Sequence, residues 1–505
     1  MIAVNLILGL LVWMFPPAGI NLGKLAQLKF VSVYELTGDR DSSVASVDIA
    51  SVLKDVSPKE FEPSGNRENN DSIVNKIDEE IVQSVNYDTL TLKLVTPRNR
   101  AIQLPPSNNG VLKNFIEALL YESKTKVVRV LHYGDSQLEG DRITDYLRNR
   151  LQMLFGGKGP GIILPSEPAA DSRRTVLVGE SKNIKKQAFY IKGKHAKEGK
   201  YGLGATVFSF TGSNTNFVGV DSITVSDSTN EDSVYFKHRF SKGAQTRSFI
   251  LVKNRGLGYK TASKYSSIKL LYTSNEPFQV KLNSANYVED YFVKANPNFG
   301  IKQWDINTNK KLKLEFTQGN FPKIYGLALD GKVGVAVDNF GMRGSSAIGF
   351  EDMNKAFYNT QLKALNVRFI ILQYGINVVP NIRSDYGYYR NKLIKQLNSI
   401  KAAYPGVSIL VIGPSDMSRN KGGNMVSYTN VPLIRDAMKG AAFDTGCAFW
   451  DLYEAMGGKN SMVSWVNNDL AKKDYTHFSY EGASYVGEML FEAILEQMQN
   501  QGYVN

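Results

Sequence analysis

The sequence predicts an α/β protein whose parallel sheet is interrupted by a long β-rich segment. Apolar, strand-like runs alternate with helical periods on both sides of that segment, as in a parallel sheet covered by helices on both faces. Between about residues 165 and 332 the chain is instead rich in Thr, Val, Tyr, Phe and Ser, with turn residues at close intervals. That pattern is typical of a β-sandwich or jelly roll. A chain of 505 residues is also too long for one hydrophobic core.

Three elements of the parallel-sheet unit precede the β-rich segment. Residues 111–121 have helical spacing, residues 127–133 form an apolar run short enough for a buried strand, and residues 141–155 are again helical. After residue 155, a cluster of glycines ends the second helix. The first strand of the parallel sheet therefore lies before the β-rich segment.

The remaining elements fall within and after the β-rich segment. Within it, residues 201–210, 266–272 and 311–316 alternate in the manner of strands. From residue 333 strands and helices take turns again, which returns the chain to the parallel sheet. The expected strands here are 333–337, 367–372, 408–412 and 448–452, and the expected helices are 353–365, 388–403, 431–442 and 480–499.

The chain begins with an apolar run that carries no charge and is followed by Pro16 and Pro17. An export signal or a membrane anchor is favoured over a buried core helix, and this predicts a periplasmic, cell-envelope or extracellular protein. Residues 39 to about 109 are polar and punctuated by prolines, which indicates a loosely packed lead-in. The predicted division is 1–20, signal or anchor; 21–109, partly disordered linker with a short strand at 90–95; 110–164 and 333–505, the α/β domain; 165–332, the inserted β-sandwich.

The net charge of +12 comes from one part of the chain. Between Asp171 and Asp330 there are 25 basic and 13 acidic residues, so the remainder holds 35 of each. A basic module either concentrates an anionic polymer near the rest of the protein or is a solvated lysine-rich surface. Nucleic acid is disfavoured, because no zinc-finger spacing, RNP-like motif or basic helix occurs. Cys447 is the single cysteine, which excludes an intramolecular disulfide and a cysteine metal site, and its apolar setting predicts a buried thiol.

A serine stands where the first parallel strand turns into a helix, in the run Gly134-Asp135-Ser136-Gln137. Open α/β sheets bind ligands at the carboxyl ends of their strands. On this motif alone, a serine that caps the helix is the more frequent case. A nucleophilic serine needs a base nearby, so the histidines decide between the two interpretations.

The chain has four histidines. His195 and His238 lie in the basic β-rich segment, and His132 is expected either in the core or directly behind the residues of the site. His477 comes just before the last helix, and Asp474 three residues earlier is placed to hold its ring in one tautomer. Imidazole is the side chain whose ordinary pKa suits a general base at neutral pH.

Two further strand ends carry groups suited to an oxyanion hole. One expected strand leads to a run that contains Asn339, Gly341 and Gly344, and the next leads to Gly375 and Asn377. A glycine N–H and an asparagine amide are good donors to a tetrahedral oxyanion. Each run taken singly is more often an ordinary glycine turn.

These four runs together resemble the motif blocks of the SGNH hydrolases, also called the GDSL family. The resemblance implies a flavodoxin-like sheet and a serine esterase without a metal or other cofactor. It gives Ser136, Asp474 and His477 the catalytic roles, with Gly134, Asp135 and Gly375 as supporting residues. It also implies that the N–H groups of Ser136 and Gly344 and the side chain of Asn377 form the oxyanion hole. Two positions depart from the family pattern: Gln137 replaces a frequent leucine, and Val378 replaces the usual aspartate.

The inserted β-rich segment resembles the arrangement in bacterial peptidoglycan O-acetylesterases, where a carbohydrate-binding-like insert follows the first block. That resemblance implies an acetylated polysaccharide as substrate, with an anionic glycan as a partner for the basic segment. Two alternatives stay open: an O-acetyltransferase working with a membrane acetyl donor, and a carbohydrate-binding protein with an inactive hydrolase domain. Aromatic residues of the segment either stack on sugars or, as is more frequent in β-sandwiches, fill its core: Tyr201, Tyr259, Tyr265 and Trp304.

Overall fold

A computed structural model describes most of the chain from residue 100 onward. The described residues are 47–54, 56, 100–167, 172–211, 217–226, 232–240, 248–284, 287–306, 311–319 and 321–503, with short strands at 20–21 and 27–28. Almost all of the predicted signal or anchor (1–20), and most of the predicted linker with its strand at 90–95, lie outside them. No helix among the described residues is long and apolar enough to cross a membrane.

The strands are numbered in chain order. Their bounds are β1 Ile20–Asn21, β2 Gln27–Leu28, β3 Val127–Gly134, β4 Gly161–Ile163, β5 Val176–Glu180, β6 Ile184–Ala188, β7 Thr206–Phe210, β8 Phe217–Ser226, β9 Asp232–Phe240, β10 Ser248–Asn254, β11 Ser267–Ser274, β12 Phe278–Ser284, β13 Tyr287–Val293, β14 Asn296–Asp305, β15 Lys311–Gly319, β16 Lys323–Asp330, β17 Gly334–Gly341, β18 Val367–Gln373, β19 Ser408–Ile412, β20 Ser418–Lys421, β21 Asn424–Ser427 and β22 Ala448–Trp450.

The α-helices are numbered in the same way. Their bounds are α1 Ile49–Val52, α2 Lys113–Glu117, α3 Arg142–Phe155, α4 Lys260–Ser263, α5 Lys355–Ala364, α6 Gly387–Ala403, α7 Val431–Asp444, α8 Leu452–Ala455, α9 Ser461–Asn467 and α10 Tyr480–Asn500. A π-helical turn, Ala118–Glu122, extends α2, and 3-10 turns occur at Ser136–Asp141 and Phe350–Asp352.

Five strands form the parallel sheet, in the order β17-β3-β18-β19-β22. The central strand β3 comes from before the β-rich segment, and its neighbours β17 and β18 come from after it. The predicted α/β architecture with a parallel sheet is therefore confirmed. The chain leaves the sheet after β3 and α3 and rejoins it beside β3.

Both faces of this sheet are buried. Val128 and Val130 of β3 join a core formed with α3 and α10, while Leu131 and Tyr133 join a second core on the opposite face with α5, α6 and α7. Successive side chains of a strand point to opposite faces, so a strand covered on both sides reads as a continuous apolar run. This is why residues 127–133 could be recognised as a strand from sequence.

The β-rich segment folds into two larger antiparallel sheets. One has the order β13-β12-β15-β10-β5 and the other the order β14-β11-β16-β7-β6, with β4 paired to β16. Aromatic rings join the two sheets: Phe210 lies 5.0 Å from Phe316 and Tyr272 lies 5.3 Å from Phe278, measured between ring centroids. The two sheets thus share apolar contacts along their facing sides.

Three sequence predictions of strand extent were wrong. Residues 201–205 are turns, with an N–H to carbonyl hydrogen bond from Ala205 to Gly202, so β7 starts only at Thr206. The strand expected at 333–337 continues to Gly341, since its polar residues are also buried. The strand expected at 448–452 ends at Trp450, because the Asp451 side chain caps helix α8.

The aromatic residues considered for sugar stacking are instead part of the core. Tyr201, Tyr259, Tyr265 and Trp304 are each at most 9% exposed. Their rings pack inside the β-rich segment or between it and its surroundings, which agrees with the more frequent role of aromatics in β-structures. Cys447 is buried, as predicted.

A buried ion cluster joins the parallel sheet to the β-rich segment. The Arg129 guanidinium on β3 donates to Asp338 of β17 at 2.7 Å and also to Asp330 at the end of β16, and all three side chains are at most 1% exposed. Burial raises the pKa of Asp338 to about 6, although Arg129 opposes that rise. Asp338 also accepts the backbone N–H of Ile162 at 2.8 Å, and Ile162 lies in β4, the strand that is paired with β16 of the β-rich segment.

Replacing Arg129 with methionine should destabilise the protein strongly. It removes the cation that donates to two buried carboxylates and leaves only the more distant Lys269, whose Nζ lies 3.9 Å from Asp330 Oδ2. Breaking a buried pair in this way costs about 3–5 kcal/mol. The free energy of unfolding in urea measures the effect. Arg390→Met is the control, because the Arg390–Asp444 pair is roughly half exposed and is worth at most about 1 kcal/mol. Equal losses in the two variants would contradict this role of Arg129.

Candidate active site

Three neighbouring strands end at the same level of the parallel sheet. Gly134, the last residue of β3, is paired with Gly341 of β17 on one side and with Gln373 of β18 on the other. The Gly134 carbonyl accepts the N–H of Met342 at 2.7 Å, and the Gln373 carbonyl accepts the N–H of Asp135 at 3.3 Å. The turns that follow the three strands are therefore tied together at their bases.

The predicted site residues lie in these turns. Ser136 is two residues beyond Gly134, Gly344 is three beyond Gly341, and Asn377 is four beyond Gln373. The carboxyl ends of parallel strands meet at one edge of the sheet, where open α/β proteins bind their ligands. The structure thus brings the serine and both glycine-containing motifs to one edge.

Two of the motif glycines have physical reasons to be glycine. A Cβ atom on Gly134 would lie 2.7 Å from the Leu138 side chain and 2.8 Å from the Gln373 carbonyl oxygen, so no side chain fits where β3 turns. Gly344 has a φ of +78°, a left-handed conformation that is costly for other residues. The supporting residue Gly375 packs against Pro414 and Met438 at the end of β18.

Ser136, His477 and Asp474 form a continuous chain of hydrogen bonds. The Ser136 Oγ atom lies 2.8 Å from His477 Nε2, and His477 Nδ1 lies 2.8 Å from Asp474 Oδ2. With the Nδ1 proton donated to the carboxylate, Nε2 is left as an acceptor for the serine hydroxyl. The Ser479 side chain caps the following helix α10, which fixes the point where the loop that contains His477 ends.

The Asp474 carboxylate is held in its charged form. Partial burial would raise its pKa, but hydrogen bonds from the backbone N–H and ring of His477 and from the N–H of Thr476 bring the pKa below its ordinary value. Both N–H groups lie 3.0 Å from Asp474 Oδ1. A fixed negative charge beside Nδ1 orients the ring and favours the imidazolium that forms when Nε2 takes a proton.

The three groups assigned to an oxyanion hole are available at the edge of the sheet. Among the hydrogen bonds of the described residues, the backbone N–H groups of Ser136 and Gly344 have no acceptor. The Asn377 amide is exposed and donates one of its two N–H bonds to the Ser345 carbonyl at 2.8 Å, which orients the second. Their role as oxyanion donors stays a prediction.

Beneath the site lies a buried polar network. His132 contacts the Gln373 amide oxygen and the Thr144 hydroxyl, each at 3.0 Å, and the Asn339 amide donates to that hydroxyl at 2.7 Å. Burial lowers the pKa of His132 to about 3, so the ring is neutral and sealed from solvent. His132 is therefore a core residue, as expected, and Asn339 supports the floor of the site from within β17.

Among the histidine side chains that the structure describes, His477 is the one in hydrogen-bond contact with Ser136. His195 is exposed in a loop of the β-rich segment, and the side chain of His238 lies outside the described residues. Within the described part of the chain, no cluster of three or more His, Cys, Asp or Glu side chains is disposed to hold a metal ion.

Sequence reasoning missed three contacts around the site. Gln137, noted only as a departure from the family pattern, bonds the loop that contains His477. Arg142 donates to the Ser136 carbonyl at 2.5 Å, and Arg343 forms a bidentate pair with Glu139 at 2.5 and 2.6 Å. The position of Gln137 directly after Ser136 could have indicated a role in the site. Nothing in the sequence indicates the pairing of Arg343 with the distant Glu139.

Comparison with known proteins supports the fold. The sequence matches no protein-family model and no curated protein. Its structure is similar to a solved structure described as a peptidoglycan O-acetylesterase in action, with a TM-score of 0.57 and 20% identity over 77% of this chain and 96% of that one. The chain thus shares the fold of that O-acetylesterase, and the predicted structural resemblance is confirmed at the level of the fold.

Two family two carbohydrate esterases are more distant. The enzyme from Clostridium thermocellum, solved in complex with cellohexaose, gives a TM-score of 0.24 at 9% identity, over 52% of this chain and 94% of that one. The enzyme from Cellvibrio japonicus gives 0.23 at 9% identity, over 58% and 98%.

Asp135 lies between Gly134, the last residue of β3, and Ser136. Its side chain is 1% exposed, and its Oδ1 atom accepts the Gln137 N–H at 3.0 Å. Burial raises the pKa of Asp135 to about 7, although the hydrogen bond from Gln137 opposes that rise. The residue next to the candidate nucleophile is thus a carboxyl group that the fold favours in its protonated form.

The Asp135 carboxyl should make stability fall as pH rises. Its folded-state pKa of about 7 is above the ordinary value of 3.8, so the folded protein binds a proton that the unfolded chain releases between these values. Stability from this group is present below about pH 4 and is lost as pH rises through about 7. Asp135→Asn keeps the acceptor and cannot ionise. Between pH 5 and pH 8 the free energy of unfolding in urea should fall less in the variant than in the unmodified protein. Equal falls in the two proteins would contradict the raised pKa of Asp135.

Proposed function

We propose that the chain is a serine esterase that removes O-acetyl groups from a polysaccharide. The observation that carries the proposal is the 2.8 Å contact between Ser136 Oγ and His477 Nε2, with Asp474 on the other ring nitrogen. A serine hydroxyl joined to an oriented imidazole is the arrangement by which hydrolases of unrelated folds activate an alcohol. Its place at the carboxyl edge of a parallel sheet gives substrate access to it.

The reaction proceeds in two acyl transfers. His477 Nε2 takes the proton of Ser136 as Oγ attacks the acetyl carbonyl carbon, and a tetrahedral oxyanion forms. The N–H groups of Ser136 and Gly344 and the Asn377 amide donate to that oxyanion. When the intermediate collapses, the sugar alkoxide leaves and takes the proton from His477. Water then attacks the acetyl-serine with His477 again as base, and acetate and free Ser136 result.

A polymeric substrate suits the setting of this site. Gly344 and Asn377 are exposed, so an ester carried on a long glycan can reach the serine without entering a closed cavity. The fold shared with a peptidoglycan O-acetylesterase supports an acetylated cell-wall polysaccharide as the substrate. A substrate of this kind would place the enzyme in the cell envelope or outside the cell, which agrees with the apolar N-terminal run.

We also propose that residues 165–332 form an inserted β-sandwich between the two parts of the hydrolase domain, 110–164 and 333–505. The aromatic contacts between the two antiparallel sheets support this division. The excess of basic residues in the segment suits an anionic glycan, whose local concentration near the site would rise.

Ser136→Ala should abolish acetate release while the fold remains intact, because the alanine supplies no nucleophile. The measurements are acetate release from acetylated peptidoglycan and from acetylated xylan, and fatty-acid release from a long-chain ester, with the melting temperature as control for folding. We expect the acetylated glycan to be the best substrate of the unmodified protein. Retained activity in the variant would remove the assignment, and acetylated glycan formed from an added acetyl donor would identify a transferase instead.

Asn377→Ala should lower kcat by about 10²–10³ with little change in KM. The variant lacks one oxyanion donor, and the hydrogen bond of that donor to the oxyanion forms only in the transition state. Asn381→Ala is the matched control, since Asn381 is an exposed asparagine four residues further along the same loop. Steady-state kinetics on an aryl acetate give both constants. An Asn377→Ala enzyme as active as the control would exclude this residue from the oxyanion hole.

A further inference from the structure

We propose that Gln137 is a positioning residue that sets the distance between the candidate base His477 and the nucleophile Ser136. The proposal rests on the function proposed above, since it assigns a role to Gln137 within that same site. Gln137 follows Ser136 directly in the chain, and its side chain crosses to the loop that contains His477.

The Gln137 amide binds the backbone on both sides of His477. Its Nε2 atom donates to the Thr476 carbonyl at 2.7 Å, and its Oε1 atom accepts the Phe478 N–H at 3.3 Å. Thr476 and Phe478 are the two residues that flank His477. A planar amide that satisfies a carbonyl and an N–H two residues apart fixes both the position and the direction of the residue between them.

The amide is itself held in place. Its Nε2 atom also donates to the Ser415 hydroxyl at 3.2 Å, in the loop after β19, and its backbone N–H is bound by Asp135. The Gln137 side chain is 2% exposed, so water does not compete for these bonds. The serine turn, the loop after β19 and the loop that contains His477 thus meet at one buried side chain.

Asp474 alone does not set the distance between His477 and Ser136. Asp474 lies three residues before His477 in the same loop, so it orients the ring within the loop but does not fix the loop relative to Ser136. Gln137 makes that connection, because its backbone belongs to the serine turn. The Arg142 guanidinium makes a second connection between the two segments. It donates to the Ser136 carbonyl at 2.5 Å and to the Phe478 carbonyl at 3.4 Å.

Loss of the amide should therefore affect the chemical step and leave substrate binding unchanged. Proton transfer from a hydroxyl to an imidazole requires hydrogen-bond contact, and a misplacement of about 1 Å can cost about 10²-fold in rate. Gln137 is buried beneath the site and does not face the substrate, so KM should stay constant. This separation of kcat from KM distinguishes a positioning role from a general contribution to stability.

The test compares two buried glutamines, changed in the same way. Gln137→Met keeps the length of the side chain and removes its polar atoms. Gln152→Met is the matched control: Gln152 is 3% exposed and its Nε2 atom donates to the Gly159 and Val335 carbonyls, toward the opposite end of β17. We expect Gln137→Met to lower kcat by about 10- to 100-fold at constant KM, and Gln152→Met to change neither constant by more than about twofold while losing comparable stability.

A second variant keeps the test decisive if Gln137→Met does not fold. Gln137→Glu has the same shape and keeps an acceptor for Phe478, but when ionised it has no N–H for the Thr476 carbonyl. Its kcat at pH 8 should also fall at constant KM. If either folded variant has the kcat of the control, the proposal is overturned, while an inactive Ser136→Ala enzyme would leave the esterase assignment standing. Activity in Ser136→Ala would instead defeat the esterase assignment itself.

Discussion

The register of β17, β3 and β18 is the constraint on which the rest of the structure depends. Gly134 is paired on both sides, and a side chain there would strike Leu138 and the Gln373 carbonyl. Since the three strands end together, the turns that carry Ser136, Gly344 and Asn377 begin from fixed and adjacent points. A shift of one residue in any of these strands would turn its buried side chains to the other face of the sheet and displace its turn.

The β-rich segment lies in the chain between β3 and β17, which are neighbours in the parallel sheet. Buried polar groups hold these two strands together. Arg129 holds Asp338 of the neighbouring strand together with Asp330 at the end of the β-rich segment. Below the serine turn, neutral His132 and its partners join β3, β17, β18 and α3. Hydrogen bonds of both networks run between strands, so the networks favour one strand order and one register over the alternatives.

Much of this arrangement could be predicted from the sequence. Buried parallel strands are continuous apolar runs, so residues 127–133 and 408–412 were recognisable, and the polar residues after each strand end indicated one edge. His477 could be chosen because the chain has so few histidines and Asp474 lies near it. The resemblance to SGNH hydrolases then gave each group an expected role, and these roles stay predictions. The fold itself is shared with a solved O-acetylesterase structure.

The rest depends on contacts between distant parts of the chain. Gln137 differed from the expected leucine, yet only the folded loop shows that its amide faces the backbone on both sides of His477. Asp338 and Asn339 were assigned to a loop because polar residues usually end a strand, whereas burial beside Arg129 and Thr144 keeps them inside β17. Tertiary partners of this kind override local pattern, and a single sequence does not contain them.

The proposed mechanism requires that Ser136 is a nucleophile activated by His477. Reaction of the folded protein with an aryl phosphonofluoridate, followed by peptide mass spectrometry, tests it most directly, because such reagents label only serines made nucleophilic by a neighbouring base. The account predicts one covalent adduct, on the peptide that contains Ser136, and its disappearance in His477→Ala. An unlabelled protein, or an adduct on another serine, would contradict it.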